Sequence, residues 1–303
     1  MRIIVTGGCG FIGSSFVNYL RKNIECEIVV IDKLTYAANP FLIPKDVEII
    51  KKDICDIELN DIGYADYIVN FAAESHVDNS ISNGLPFVKT NVEGTFNMLE
   101  VARKLPNLKK FVQISTDEVY GDMDSRELIS AKESTSLQPS SYYSSTKAAA
   151  DHLVESAGRT YGLPYLITRT CNNFGEHQHS EKFLPTIARS INNNKPIPLY
   201  GDGGHVREWI WVEDNVKMVY DLMISQIGIW NIGSGDSWTN RNIITEIGLI
   251  LNKDVNFEYV DDRLGHDRRY TIDISKLEYH KQTYNLTTKN IREFLVEKFG
   301  SSN

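Results

Sequence analysis

The sequence predicts an α/β protein built on a doubly wound parallel sheet, with a smaller mixed α/β region added to it. Two observations carry this. Short, nearly continuous Val/Ile/Phe runs alternate with helical stretches through the first half of the chain, the pattern of strands buried on both faces and joined by crossover helices. The first run also breaks into a glycine cluster, Gly7, Gly8, Gly10 and Gly13, immediately before a helical stretch.

The elements follow in order. "RIIVTG" reads as a strand and 11–22 as a helix; "CEIVVIDKL" is the second strand; "YADYIVNFAA" leads to a helix over 86–105. "LKKFVQIST" leads through a loop to a helix over 143–161, and "LPYLITRTCN" is the next strand. After Asn173 the alternation stops: "NNNKPIPLYGDGGHVREW" is rich in turn formers, and helices are expected over 242–251 and 289–299. The simplest division is a nucleotide-binding domain over 1–174, to which about 208–235 returns, and a substrate region made of 175–207 and 236–303.

Composition narrows the classes. At 303 residues the chain can bury a large core. Its net charge of −8 argues against nucleic acid as a partner and requires a local basic pocket for any anionic ligand. The four cysteines are scattered, without metal or disulfide spacing, which suits a reducing cytoplasm. No apolar run nears the roughly 18 residues that would span a membrane, and "MRIIVTGG" enters a strand too early for a signal peptide.

The glycines satisfy both GxxGxxG and GxGxxG at a strand-to-helix turn, where a backbone can approach a pyrophosphate. Asp32 ends the second strand, 19 positions after Gly13. A carboxylate there accepts hydrogen bonds from ribose hydroxyls and repels a 2′-phosphate, so the expected cofactor is NAD. In "YYSSTKAAAD", Tyr143 and Lys147 stand at i, i+4 on one helix face, where an ammonium stabilises a phenolate; Tyr142, at i, i+5 from the lysine, is the poorer match. Asp117 and Glu118 in "STDEVYG" are adjacent carboxylates at a strand end, a costly arrangement unless one is neutral or paired.

At this point the chain resembles the extended short-chain dehydrogenase/reductase family, Rossmann-like in its cofactor half, and within it the nucleoside-diphosphate-glucose 4,6-dehydratases. The resemblance rests on "TGGCGFIGS", "DKLTYA", "DICD", "FAAESHVDNSI", "TNVEGT", "ISTDEVYG", "YSSTK", "NNFG", "PIPLYGDG", "VREWIWVED" and "DRLGHDRRYTID", and it covers nearly the whole chain. It implies a lyase that uses and regenerates NAD on a nucleotide sugar, with dTDP-glucose as the expected substrate, UDP-glucose as the alternative and sugar 4-epimerisation as the rival activity.

Residue by residue, the resemblance assigns the cofactor to Gly7, Gly10, Phe11, Ile12 and Gly13. It adds Asp32, Lys33, Leu34 and Thr35, then Asp53 and Ile54, then Phe71, Ala72, Ala73 and Ser75, and finally Thr90, Tyr143, Lys147 and Asn173. It assigns catalysis to Thr116, Asp117 as acid, Glu118 as base, Tyr143 and Lys147. Substrate contacts are expected from Ser75, His76, Thr116, Asn172, Lys182 and Phe183, with Arg207, Arg263 and His266 on the diphosphate and Pro198, Tyr200 and Asn240 at the nucleoside end. His177 and His179 form an HxH without an evident third ligand, so no metal is expected. A homodimer through the helices over 86–105 and 143–161 is implied by analogy. Asn79, Phe174 and Glu176 depart from the family's usual arginine, tyrosine and proline, and the stretch between Gly121 and Tyr143 is short.

Overall fold

The structure is a computed structural model and describes residues 1–284 and 289–300. Its strands are β1 (Arg2–Thr6), β2 (Glu27–Asp32), β3 (Glu48–Lys51), β4 (Tyr67–Asn70), β5 (Lys110–Thr116) and β6 (Tyr165–Thr170). They continue with β7 (Asn172–Phe174), β8 (Ile197–Tyr200), β9 (Val206–Trp211), β10 (Gly228–Ile232), β11 (Ser237–Thr239) and β12 (Phe257–Val260).

Seven of them form one sheet in the order β10-β6-β5-β4-β1-β2-β3, every pair parallel. The chain order reverses between β1 and β4, the crevice where doubly wound sheets bind ligands. Alternation explains why these strands read as continuous apolar runs. In β1, Ile3 and Val5 enter one core with Phe16 and Val219, and Ile4 enters the other with Ile68 and Met98. Each fully buried aliphatic is worth about 1.5–3 kcal/mol, so both faces must be covered. Helices Phe11–Asn23 and Val212–Ser225 pack together on one face. On the other lie Tyr142–Tyr161 and a long helix made of Leu85–Phe87, a π-turn over Val88–Gly94, and Thr95–Ala102.

The second lobe has a third core, with Phe174, Trp209, Ile243, Ile247, Phe294 and Leu295 at its centre. Its three-stranded sheet has the order β11-β9-β7, and β8 pairs with β12 in parallel. Asn172–Phe174 and Val206–Trp211 pair within that lobe's sheet, while the helix Val212–Ser225, β10 and the helix Ser275–Tyr284, which packs on β10, return to the main sheet. Hydrophobic pattern identifies a strand but not its neighbour, so the pairing of these short strands was not readable from the sequence. Among the described residues, no helix is long and apolar enough to cross a membrane.

Candidate active site

A cleft of about 890 Å³ runs along the C-terminal ends of β1, β2, β4 and β5 and beneath the second lobe. At its dinucleotide end, β1 stops at Thr6 and Gly7 turns the chain with φ of +65°. A Cβ on Gly7 would stand 2.6 Å from the Ala72 nitrogen, and one on Gly13 only 2.3 Å from the Gly7 carbonyl oxygen. Both glycines are required by close approach of backbone. The helix that follows starts at Gly10 without a side-chain cap, leaving its first N–H groups available to an anion. Asp32 is fixed by two backbone donors: Cys9 N at 2.9 Å to Oδ2 and Leu34 N at 2.8 Å to Oδ1. A cradle that a Cβ would fill, beside an uncapped helix start and a held carboxylate, fits a dinucleotide.

The second carboxylate at this end, Asp53, accepts a hydrogen bond from Cys55 N at 3.0 Å. Lys33 reaches across to Thr90 at 3.1 Å, with Asp53 and Glu74 at 3.5 and 3.6 Å. Leu34 has φ of +59° and does not line the cleft, so of the residues expected at the cofactor it alone stands off the wall; its side-chain direction follows from the left-handed backbone that Asp32 holds.

The helix Tyr142–Tyr161 starts one residue before the expected position because Ser141 closes a capping box with Ser144. It carries Tyr143 and Lys147 into the cleft and leaves Tyr142 63% exposed on another side, which decides between the two tyrosines. Lys147 Nζ donates to the Ile114 carbonyl at 2.5 Å. Burial lowers the lysine pKa to about 8, with Asp151 opposing. Burial and the Glu118 charge hold the Tyr143 phenol well above its ordinary value, with the Thr116 hydroxyl working the other way.

The adjacent carboxylates lie on a short 3-10 turn, Asp117–Tyr120, at the end of β5. The turn sends them to different surroundings. Glu118 lines the cleft, whereas Asp117 lies under the wall, 3% exposed, and is not a lining residue. Thr116 Oγ1 donates to Asp117 Oδ1 at 3.2 Å, and Asp117 Oδ2 is buried without a partner. Burial, then the charges of Glu118 and Glu208, push the Asp117 pKa far up, which makes it a neutral acid. Burial also raises Glu118, but Arg207, Arg263 and Lys182 all pull it back down. Both carboxyls are raised, Asp117 the more strongly, so Asp117 is the better acid of the two and Glu118 the better base.

All twelve residues expected at the substrate line the cleft. Arg207 is locked: Nη2 donates to the Asp267 carbonyl at 2.9 Å and Nη1 to the Val206 carbonyl at 2.8 Å, with the Tyr270 ring 4.3 Å from the guanidinium. Arg263 Nη2 lies 3.1 Å from His266 Nε2, and its Nη1 lies 3.4 Å from Asp78 Oδ1 across the cleft. Asp262 Oδ1 is 2.6 Å from His266 Nδ1. Burial, then Arg263 and Arg207, lower the His266 pKa to about 3, so the ring is neutral; with its Nδ1 proton on Asp262, Nε2 accepts from Arg263. Lys182 Nζ donates to the Ser75 carbonyl at 3.2 Å, a second tie between the lobes.

His177 and His179 also line the cleft, with His179 edge-on to Tyr36 at 5.5 Å and 3.4 Å from Glu181. Among the described residues, the grouping with ligand-like spacing is instead His205, Asp262 and His266. There the two imidazoles stack at 3.7 Å around one carboxylate, His266 hydrogen-bonded to Asp262 at 2.6 Å and His205 Nε2 3.1 Å from its other oxygen, beside a guanidinium, so the cluster braces this end of the cleft.

Sequence reasoning did not single out Tyr270, Asp78 or Asp262 as part of this site. All three sit inside quoted motifs, so the signal was present, but Asp78 meets Arg263, Tyr270 meets Arg207 and Asp262 meets His205 only across long stretches of chain.

The reversal of strand order and a tyrosine–lysine pair facing the glycine turn define the class: an extended short-chain dehydrogenase/reductase. Within it, the chain belongs to the NAD dependent epimerase/dehydratase family, whose model matches residues 3–233. It is 46% identical to the low-salt glycan biosynthesis protein Agl12 of Haloferax volcanii, covering 91% of each chain. To dTDP-glucose 4,6-dehydratase of Haemophilus influenzae it is 41% identical, again over 91% of each. Among solved structures, DesIV, the dTDP-glucose 4,6-dehydratase of Streptomyces venezuelae with NAD and TYD bound, superposes with a TM-score of 0.90 at 35% identity, over 99% of this chain and 96% of that one. UDP-glucose 4-epimerase of Thermus thermophilus with NAD superposes at 0.88 with 27% identity, over 100% of both.

Proposed function

We propose that the protein converts a nucleoside-diphosphate-glucose, dTDP-D-glucose, into the 4-keto-6-deoxy sugar by loss of water, as an NAD-dependent hydro-lyase. One arrangement carries the reading: two adjacent carboxylates in different surroundings, Asp117 buried under the cleft wall with Oδ2 unpaired and its pKa pushed far up, and Glu118 on the wall, where Arg207, Arg263 and Lys182 oppose the rise that burial causes. An epimerase has no use for a neutral acid beside its base, because it eliminates nothing.

NAD would lie on Gly7–Gly13 with Asp32 at its ribose, and when bound it supplies a reversible hydride site for C4 and then C6. The chain does the proton work. Tyr143, with Thr116 at its hydroxyl and Lys147 below, takes the C4 hydroxyl proton during oxidation. The resulting ketone acidifies C5–H, which Glu118 removes. Asp117 protonates the C6 oxygen, and the C5 electron pair forms the C5–C6 double bond as water departs. When C6 is reduced, a proton returns to C5 from Glu118, so the elements of water are lost and the cofactor is regenerated. Arg207, Arg263 and Lys182 hold the diphosphate, and Pro198, Tyr200 and Asn240 receive the nucleoside.

The cofactor lobe comprises the seven-stranded sheet and its helices, and the smaller lobe supplies the nucleotide-sugar contacts. The chain pairs as a homodimer through the helices over 85–102 and 142–161, where Leu85, Val88, Phe96, Tyr142 and Tyr161 are exposed. It works in the cytoplasm, in keeping with four free thiols.

The test is incubation with dTDP-glucose and, separately, UDP-glucose in deuterated water, with products read by mass spectrometry. The expected product from dTDP-glucose is one water lighter and carries one solvent deuterium at C5. Faster turnover of UDP-glucose would reassign the nucleoside. Epimerised or unchanged sugar from both would overturn the reading.

A further inference from the structure

The helix Tyr142–Tyr161 carries a third chemical group in line with Tyr143 and Lys147. Asp151 follows Lys147 by one helical turn on the same face and is wholly buried. Its Oδ2 receives Arg169 Nε at 2.9 Å, and Arg169 is itself only 2% exposed. Asp151 Oδ1 is buried with no hydrogen-bond partner. Ser115 and Arg169 are register partners on β5 and β6, so both stand on the sheet face that this helix covers.

The groups around the carboxylate are therefore Ser115 from β5, Arg169 from β6 and Lys147 from its own helix. Arg169 in turn meets the Tyr120 hydroxyl at 3.0 Å and the Glu133 carbonyl at 3.4 Å. A buried Asp–Arg pair that served packing alone would satisfy both carboxylate oxygens.

We propose that Asp151 is a positioning residue for Lys147: its carboxylate, one turn along the same buried helix face and beyond ion-pair contact with Nζ, favours the ammonium through its charge while Nζ stays bound to the Ile114 carbonyl, so that the ammonium can stabilise the Tyr143 phenolate. Burial lowers the Lys147 pKa, to about 8, and Asp151 is the charge that opposes this. Burial raises the Asp151 pKa, and Arg169, Ser115 and Lys147 oppose it, while the Arg169 guanidinium is also engaged on Tyr120 and Glu133. This rests on the dehydratase reading for its consequence in turnover, but not for its effect on Lys147.

The experiment is competitive acetylation of Lys147 with trace acetic anhydride across pH, read by peptide mass spectrometry, since only the neutral amine reacts. Asp151→Asn is compared with the double variant Asp151→Asn/Arg169→Gln, which avoids a lone buried guanidinium and keeps a neutral hydrogen-bonded pair. The half-point of labelling is expected to fall by about one pH unit in the double variant and further in the single one. The alkaline limb of kcat should shift down by the same amount, with KM unchanged. A double variant that labels as the wild type does would overturn the inference. Wild-type protein that turns over neither nucleotide sugar would sink the dehydratase reading alone, because the labelling shift is read without turnover.

Discussion

Asp117 and Glu118 differ by one backbone position and by nearly everything else. Asp117 Oδ2 ends in a dry space next to Glu208, and Glu118 faces three cations. Asp117→Asn should cut turnover by about 10²–10⁴-fold while the first oxidation still occurs, so the absorbance of reduced nicotinamide builds up on adding substrate. Glu118→Gln should also lose turnover, and the recovered sugar should lack solvent deuterium at C5. The same environments set the pH profile. Glu118 must be ionised, and burial raises its pKa, so activity falls with acid at a higher pH than an ordinary glutamate would give. Lys147 must be protonated, and its pKa is lowered to about 8, so activity falls again above about pH 8. A bell-shaped kcat/KM profile checks both signs. The pair was legible in the sequence as an anomaly, but the burial of one member was not, because a 3-10 turn at a strand end no longer alternates sides as the strand does.

At the level of elements, the glycine turn and the tyrosine–lysine helix were fully legible: each depends on residues within one turn of each other. Gly13→Ala should destabilise the fold by about 1–3 kcal/mol, since its Cβ meets a backbone oxygen that cannot retreat. The purified protein should carry less NAD, measured by release on denaturation, and should melt earlier. The long helix after β4 was legible only in outline. Its period predicts a regular helix, yet Val88–Gly94 is a π-turn. That turn brings Asn91 onto Thr146 at 3.0 Å and onto Glu74 N at 2.8 Å, tying the helix Tyr142–Tyr161 to the loop that carries the cleft residues after β4. No local residue signals it, because the benefit lies in a neighbour 55 positions away.

Across the whole molecule, the second lobe was the least legible part. β7 and β9 pair in parallel although a helix and β8 separate them in the chain, and a short strand carries no mark of its partner. The exposed apolar side chains on the two outer helices set a prediction at this scale. Replacing Leu85 and Phe96 with glutamate should halve the mass seen by sedimentation while leaving the monomer folded by circular dichroism. The contact of Arg263 with Asp78, and of Lys182 with the Ser75 carbonyl, bears on how a nucleotide sugar enters. The cleft is not a reservoir of unspent positive charge, because Arg263 and Lys182 each already have an anion or a dipole from the opposite lobe. A diphosphate binding between them would enter by exchange, taking over cations that the protein already holds in partnership with itself.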